Sequence, residues 1–193
     1  MPPNTEESSL ANERIAYLAR SSFEDGRAYR GGALVLDGDG KPLEFRCTSP
    51  IRPNPVQRTL YGASLEPYML VQLIGKPLLS SLRESFLLVL VNEPAFLNLR
   101  AHTTQPVLFV RRQGIALDGT TARPEQGTSL LVDSPTDVFD PVVVEAFREH
   151  AADREQARPL LESISARYDP LEPFERVLRA LQKVHDEKTV DRQ

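Results

Sequence analysis

Apolar runs separated by turn-forming residues divide the first 132 residues into short predicted elements. The first is an amphipathic helix over residues 9–23, ending at Glu24-Asp25-Gly26. Its apolar residues are spaced for one helical face: Leu10, Ile15, Leu18, Ala19 and Phe23. Two strand-forming runs, 31–36 and 41–48, then flank Asp-Gly-Asp-Gly. Because glycine supplies the positive φ of tight turns, this pattern predicts a β-hairpin over 31–48.

A pair of apolar helices is predicted over 54–82. Asn54 is an N-cap residue, Pro55 fits the first helical position, and Gln57 completes a capping box. Gly62 should break this helix. The second helix, from Tyr68 to Leu82, has little polar surface and should be kinked by Pro77, which lacks a backbone donor.

The rest of the chain predicts more strands and then helices. A central strand is expected at 86–91, further strands at 95–101, 107–111, 115–117 and 129–132, and an exposed loop at 118–127. Three tail helices follow, two of them beginning at Asp140-Pro141 and Asp169-Pro170. The last helix carries an apolar stripe: Phe174, Val177, Leu178, Leu181 and Val184.

These elements predict the α+β class. We expect a mixed or mainly antiparallel sheet of about five strands, including the 31–48 hairpin, packed on the helix pair 54–82 and followed by a C-terminal helical tail. The predicted domain organisation is an α+β core over 1–132 and an acidic helical extension over 133–193 that docks on the core.

Length and composition restrict the number of domains and the cellular compartment that we expect. The 193 residues are enough for one domain, and the acidic N-terminus has neither part of a secretory signal. Apolar runs are too short to cross a bilayer, and the single Cys47 excludes an internal disulfide. We therefore expect a cytoplasmic protein that does not engage a membrane. Cys47 with His102 is a weak candidate for nucleophilic chemistry, and a buried inert thiol is the favoured interpretation.

No Walker loop, dinucleotide-binding, hydrolase or zinc-protease motif is present. The hairpin carboxylates Asp37, Asp39 and Glu44 are candidate ligands for magnesium, because hard cations prefer carboxylate oxygens. Asp-Gly-Asp-Gly is also what a tight turn requires for backbone reasons, and that interpretation is favoured. The sequence predicts no cofactor.

A second candidate is an anion site at the predicted helix start, formed by Arg52, Asn54 and Arg58. Free backbone donors and arginine side chains bind phosphate or carboxylate groups. The alternative is that the two arginines pair with Glu44, Glu66 or acidic residues of the tail. The net charge of −4 does not resemble that of a dedicated nucleic-acid binder.

Three functional hypotheses remain. The leading one is a non-catalytic protein-binding or assembly subunit of an intracellular complex, with a protein partner or a second copy of the chain. Its candidate interface residues are Tyr68, Leu73, Phe174, Leu178 and Leu181. The second is a metal-dependent enzyme acting on phosphate-containing substrates such as nucleic acid. The third, non-catalytic nucleic-acid binding, is the least favoured because the chain is acidic.

Overall fold

A computed structural model describes residues 13–114, 127–136 and 138–190. Within these residues the chain forms one seven-stranded sheet in the order β3-β2-β1-β4-β5-β7-β6. The strands are β1 (Ile15–Phe23), β2 (Ala28–Leu36), β3 (Pro42–Cys47), β4 (Leu88–Val91), β5 (Val107–Arg112), β6 (Gly127–Val132) and β7 (Val142–Phe147).

The sheet is mixed. Strands β1, β4 and β5 are parallel neighbours, whereas β2, β3, β6 and β7 pair antiparallel with their neighbours. The predicted combination of helices with a sheet is confirmed. The predicted size of about five strands is wrong, and of the two predicted arrangements, mixed or mainly antiparallel, the sheet has the mixed one.

Strand β1 replaces the helix predicted over 9–23. All five side chains from Ile15 to Ala19 are fully buried, because helices cover both faces of this central strand. A strand that is buried on both faces has no polar alternation, so its apolar residues can imitate a helical face. Leu10 lies outside the described residues.

The hairpin prediction is confirmed. Strands β2 and β3 pair antiparallel, and the Asp37 carboxylate closes the turn by accepting the backbone N–H groups of Asp39 at 3.0 Å and Lys41 at 2.9 Å. Gly40 adopts a φ of 78°, which favours glycine. The turn residues therefore supply the hydrogen-bond acceptor and the positive φ that a tight turn requires.

The predicted helix start is also confirmed. Asn54 accepts the Gln57 N–H at 2.8 Å, and the Gln57 side chain accepts the Asn54 N–H at 2.9 Å. Helix α1 (Pro55–Tyr61) ends at Gly62, whose φ is 50°. A short 3₁₀ turn then leads into helix α2 (Leu65–Tyr68), a π-helix (Met69–Gly75) and helix α3 (Lys76–Ser81), with Pro77 in the first turn of α3.

Two later elements differ from prediction. The segment expected as a strand at 95–101 is a 3₁₀ helix (Pro94–His102). The helix expected to begin at Asp140-Pro141 is instead strand β7, in line with its valine-rich sequence. The expected strand at 115–117 and most of the expected loop at 118–127 lie outside the described residues.

Helices cover both faces of the sheet. Helices α4 (Ala152–Ser165) and α5 (Glu172–Val190) pack on the face that carries Tyr17 and Leu90. The π-helix, α3 and the 3₁₀ helix pack on the other face. Gly31 and Gly32 permit close packing at β2, since a Cβ atom on Gly31 would lie 2.0 Å from Ile74 Cγ2.

The tail helix docks on its own core. Phe174 and Leu181 are buried and Leu178 packs against the same cluster, so the three predicted interface residues of this helix contact the core of their own chain. Strand β7 lies between β5 and β6, so the ranges 1–132 and 133–193 share one sheet. The domain boundary at 132 stays a prediction. Among the described residues, no helix combines the length and apolar character needed to span a membrane.

Candidate functional site

The parallel strands define the place to look for a site. Strands β1 and β4 run in the same direction; β4 ends at Val91, opposite Leu18, and β1 continues to Phe23. In open α/β sheets, ligands bind in the crevice outside the carboxyl ends of the strands. We call this side of the molecule the carboxyl edge, defined by Arg20 to Phe23 of β1 and by Asn92 and Glu93 after β4.

A cluster of three charged residues lies at the carboxyl edge. Arg20 near the end of β1 binds Glu93 with two hydrogen bonds, Nε to Oε1 at 3.1 Å and Nη2 to Oε2 at 2.6 Å. The same Nη2 atom donates to Glu66 Oε1 on α2 at 2.7 Å. The Arg20 guanidinium carbon also lies 5.4 Å from the centroid of the Tyr29 ring. We refer to Arg20, Glu66 and Glu93 as the Arg20 cluster.

The electrostatics of this cluster follow from its burial. Only 18% of the Arg20 side chain and 22% of the Glu93 side chain is exposed, against 57% for Glu66. Burial raises the pKa of Glu93, and the Arg20 guanidinium opposes that shift. Burial also disfavours the charge on Arg20, but hydrogen bonds and charges from Glu93 and Glu66 raise the pKa of Arg20 above its ordinary value.

A small cavity adjoins the Arg20 cluster. It has a volume of about 210 Å³, and the residues that line it include Ile51, Arg52, Tyr61, Leu65, Tyr68 and Leu73. Leu65 precedes Glu66 in the chain, and Ile51 forms a β-bridge with Tyr29, so the cavity and the cluster share neighbours. The rings of Tyr61 and Tyr68 lie 5.0 Å apart and are each a little over one third exposed.

The structure gives protein partners to the three predicted anion-binding residues. Arg52 binds the carboxylate of Glu24 through Nε at 3.1 Å and Nη2 at 2.5 Å, and its hydrogen bond lowers the pKa of Glu24. Arg58 donates to the Gly26 carbonyl oxygen at 3.1 Å, and Asn54 caps α1. Arg52 therefore pairs with an acidic residue, as the alternative interpretation expected, although the partner is Glu24. The anion site itself stays a prediction.

Each of the three hairpin carboxylates has a partner within the fold. Asp37 closes the turn, Asp39 lies 3.6 Å from Arg167, and Glu44 accepts the backbone N–H groups of Arg83 at 2.7 Å and Glu84 at 2.9 Å. Among the described residues, no three histidine, cysteine or acidic side chains form a group suited to a metal ion. The structure therefore does not bring Asp37, Asp39 and Glu44 together as one metal site.

Sequence reasoning missed Arg20 and Glu93. Arg20 lay in a segment predicted to be helical, which hid its position near the end of a central strand. Glu93 directly follows the apolar run of β4, so a search for polar residues after buried strands would have found it. That search needs β1 to be assigned correctly before it can pair the two residues.

An open mixed sheet with helices on both faces and a charged carboxyl edge places the chain among α/β proteins with an edge suited to ligand binding. Comparison with solved structures identifies a narrower likeness, to endonuclease V. The Bacillus subtilis enzyme superposes with a TM-score of 0.56 at 13% identity, covering 97% of this chain and 87% of that chain. Human ENDOV gives 0.53 at 14% identity, covering 97% and 89%.

A third similar structure is Ciona intestinalis endonuclease V in complex with a 24mer DNA containing an inosine followed by a ribo-adenosine. Its TM-score is 0.56 at 13% identity, and the match covers 89% of this chain and 87% of that chain. At these identities the likeness shows the fold. No family model matches the sequence, and no curated protein matches it.

The likeness corrects the leading functional hypothesis. The prediction of a non-catalytic protein-binding or assembly subunit is overturned, because these similar structures are nucleic-acid enzymes by name rather than assembly subunits. The similar structures do not support the predicted protein partner. They favour the second hypothesis, an enzyme acting on phosphate-containing substrates such as nucleic acid.

Proposed function

We propose that this protein acts on nucleic acid and binds it at the carboxyl edge. The observation that carries this proposal is the fold, which matches that of Ciona endonuclease V over 89% of this chain, in a structure that contains DNA. Fold alone does not define a function, so the proposal also needs a surface on this chain that suits the ligand.

The cavity beside the Arg20 cluster supplies that surface. The tilted tyrosine pair formed by Tyr61 and Tyr68 is partly exposed, and Arg52 lines the same cavity with 43% of its side chain exposed. Proteins that bind unpaired nucleotides combine aromatic rings, on which bases stack, with basic groups near the backbone. The cavity is smaller than the roughly 300 to 1,000 Å³ of typical ligand pockets, so it suits a single base.

Binding is tested by fluorescence anisotropy with labelled 24-mers. The panel is single-stranded DNA, single-stranded RNA, duplex DNA and duplex DNA with one inosine, each at about 50 and about 200 mM salt. We expect binding that weakens as salt rises, because phosphate contacts release counterions. If none of the four oligonucleotides binds at the lower salt concentration, the proposal is wrong.

Variants locate the binding surface. Tyr68→Ala should weaken binding about tenfold, since base stacking on an aromatic ring contributes roughly 1–3 kcal/mol, whereas Tyr68→Phe should bind normally. Leu43→Ala is a matched control, because Leu43 is 38% exposed, as Tyr68 is, but lies on β3 away from the cavity. Equal affinity of Tyr68→Ala and Leu43→Ala for the oligonucleotides would show that nucleic acid binds to another surface of the protein.

A second candidate function is cleavage of the strand that is bound. The names of the similar structures favour it, whereas the described carboxylates do not form a metal-binding group. The same 24-mers are incubated with Mg²⁺ or Mn²⁺ and separated on a denaturing gel. Discrete products that need the protein and the metal ion would support cleavage, and intact strands under conditions of saturated binding would exclude it for these substrates.

A further inference from the structure

The Arg20 guanidinium joins carboxylates from two different elements. Arg20 comes from β1, Glu93 follows β4, and Glu66 belongs to α2 on the covering layer. A single nitrogen atom, Nη2, lies 2.6 Å from Glu93 Oε2 and 2.7 Å from Glu66 Oε1. Two negative charges from separate parts of the chain thus meet on one positive charge at the carboxyl edge.

We propose that the Arg20 guanidinium occupies the position of a divalent metal ion at the carboxyl edge. There it holds the carboxylates of Glu66 and Glu93 together. Magnesium and manganese bind oxygen ligands in octahedral geometry and are held in proteins by one or two carboxylates. Glu66 and Glu93 present this type of donor. In this chain, however, both carboxylate oxygens of Glu93 and the Oε1 atom of Glu66 already accept hydrogen bonds from Arg20.

A divalent ion at this position would have to displace the guanidinium. Arginine keeps its charge throughout the physiological pH range, so Arg20 cannot make room by losing a proton. Two cations sharing the same pair of carboxylates would repel each other. The donor set of the Arg20 cluster therefore fits a guanidinium and does not fit a metal ion beside it.

The backbone and the guanidinium of Arg20 both make further contacts that fix its position. Its backbone pairs with Gly31 in the ladder between β1 and β2, and its guanidinium lies over the Tyr29 ring. Glu93 is largely buried, and a buried carboxylate that loses its cationic partner is strongly disfavoured. The arginine is thus fixed on one side by the strand and on the other by the carboxylate that needs it.

Under the proposed function, Arg20 also determines what nucleic acid contacts at the carboxyl edge. Nucleic acid at this edge would meet two carboxylates that share one guanidinium, with no bridging metal ion. Its affinity for the wild-type protein should then be the same in EDTA and in Mn²⁺.

The metal inference is tested without nucleic acid, by measuring Tm during a Mn²⁺ titration of the full chain. Three variants are compared with the wild type: Arg20→Ala, Arg20→Ala combined with Glu93→Gln, and Arg111→Ala. Arg111 is a matched control because its side chain is also 18% exposed and it pairs with one buried carboxylate, Glu145.

We expect Mn²⁺ to raise the Tm of Arg20→Ala by about 4 °C at tenfold excess over Kd. It should leave the wild type, the double variant and Arg111→Ala unchanged. If Arg20→Ala is unfolded without metal, Mn²⁺ should restore its circular dichroism spectrum. A folded Arg20→Ala that ignores Mn²⁺, an unfolded one that Mn²⁺ does not restore, or a wild-type Tm that rises as much as that of the variant would each overturn the inference.

The two proposals fail separately. Loss of all oligonucleotide binding would end the proposed function and leave the Mn²⁺ titration valid. A wild-type protein that binds nucleic acid tightly in Mn²⁺ and weakly in EDTA would support the proposed function and contradict the role of Arg20.

Discussion

Two groups of carboxylates differ in how the chain brings them together. Asp37, Asp39 and Glu44 are close in sequence, in or beside one hairpin, and each has its own structural partner. Glu66 and Glu93 are far apart in sequence, yet both bind the guanidinium of Arg20. The residues that are neighbours in sequence do not form a site, and the residues that form a cluster are not neighbours in sequence.

The two groups of carboxylates differ in the partners that they bind. The hairpin carboxylates accept backbone N–H groups that the turn and the end of α3 leave without partners, so the local fold uses their charge. The carboxyl-edge residues lie where β4 ends beside its parallel neighbour β1, and side chains from distant segments meet there. Proximity along the chain is therefore a poor guide to a ligand site in a sheet of this topology.

The largest effect should follow loss of Glu93. Glu93→Leu leaves Arg20 largely buried with only the exposed Glu66 as partner, which should cost about 3 kcal/mol of unfolding free energy. The measurement is urea denaturation at pH 7, followed by circular dichroism. The control is Glu93→Leu combined with Arg20→Met, which removes both charges and should recover most of the loss. A double variant as unstable as the single one would show that packing rather than charge dominates at this position.

Sequence reasoning worked where the structure is determined locally. The hairpin around Asp37, the capping box at Asn54 and the short strand β4 follow from turn chemistry, hydrogen-bonding geometry and apolar runs. It failed at β1 and at β7, where the deciding factor is what packs on each face of the strand. For the same reason the Arg20 cluster was missed, since its residues meet only after the parallel strands are in place.

A smaller effect is expected at the hairpin. Asp37→Ala removes the acceptor for the N–H groups of Asp39 and Lys41 and should cost about 1 kcal/mol of unfolding free energy. Asp39→Ala is the control, because the Asp39 side chain is 68% exposed and lies 3.6 Å from its nearest cationic partner, so its loss should be within about 0.5 kcal/mol. Both values come from urea denaturation at pH 7. An Asp37→Ala variant as stable as Asp39→Ala would contradict the role of the Asp37 carboxylate in closing the turn.

The exposed member of the Arg20 cluster should matter less. Glu66→Gln removes a charge whose side chain is 57% exposed, and exposed ion pairs contribute roughly 0.2–1 kcal/mol. We therefore expect a loss of about 0.5 kcal/mol, well below that of Glu93→Leu. Urea denaturation at low and at high salt checks this, because salt should reduce the Glu66 contribution more than the Glu93 contribution. Equal losses at both positions would mean that Arg20 depends on the two carboxylates equally.

The smallest effect is a change in pH dependence at Glu44. Backbone hydrogen bonds from Glu84 and Arg83 hold the pKa of Glu44 below its ordinary value of 4.5. The folded state thus favours the charged form, so this stabilisation is present above about pH 4.5 and is lost as pH falls through the lowered pKa. Glu44→Gln cannot titrate, so its deficit in unfolding free energy should shrink between pH 5 and pH 3, by urea denaturation at each pH. The control is Glu175→Gln, on the exposed side of α5, whose unfolding free energy should differ little from that of the wild type at every pH. A Glu44→Gln deficit that stayed constant with pH would contradict this role for the Glu44 carboxylate.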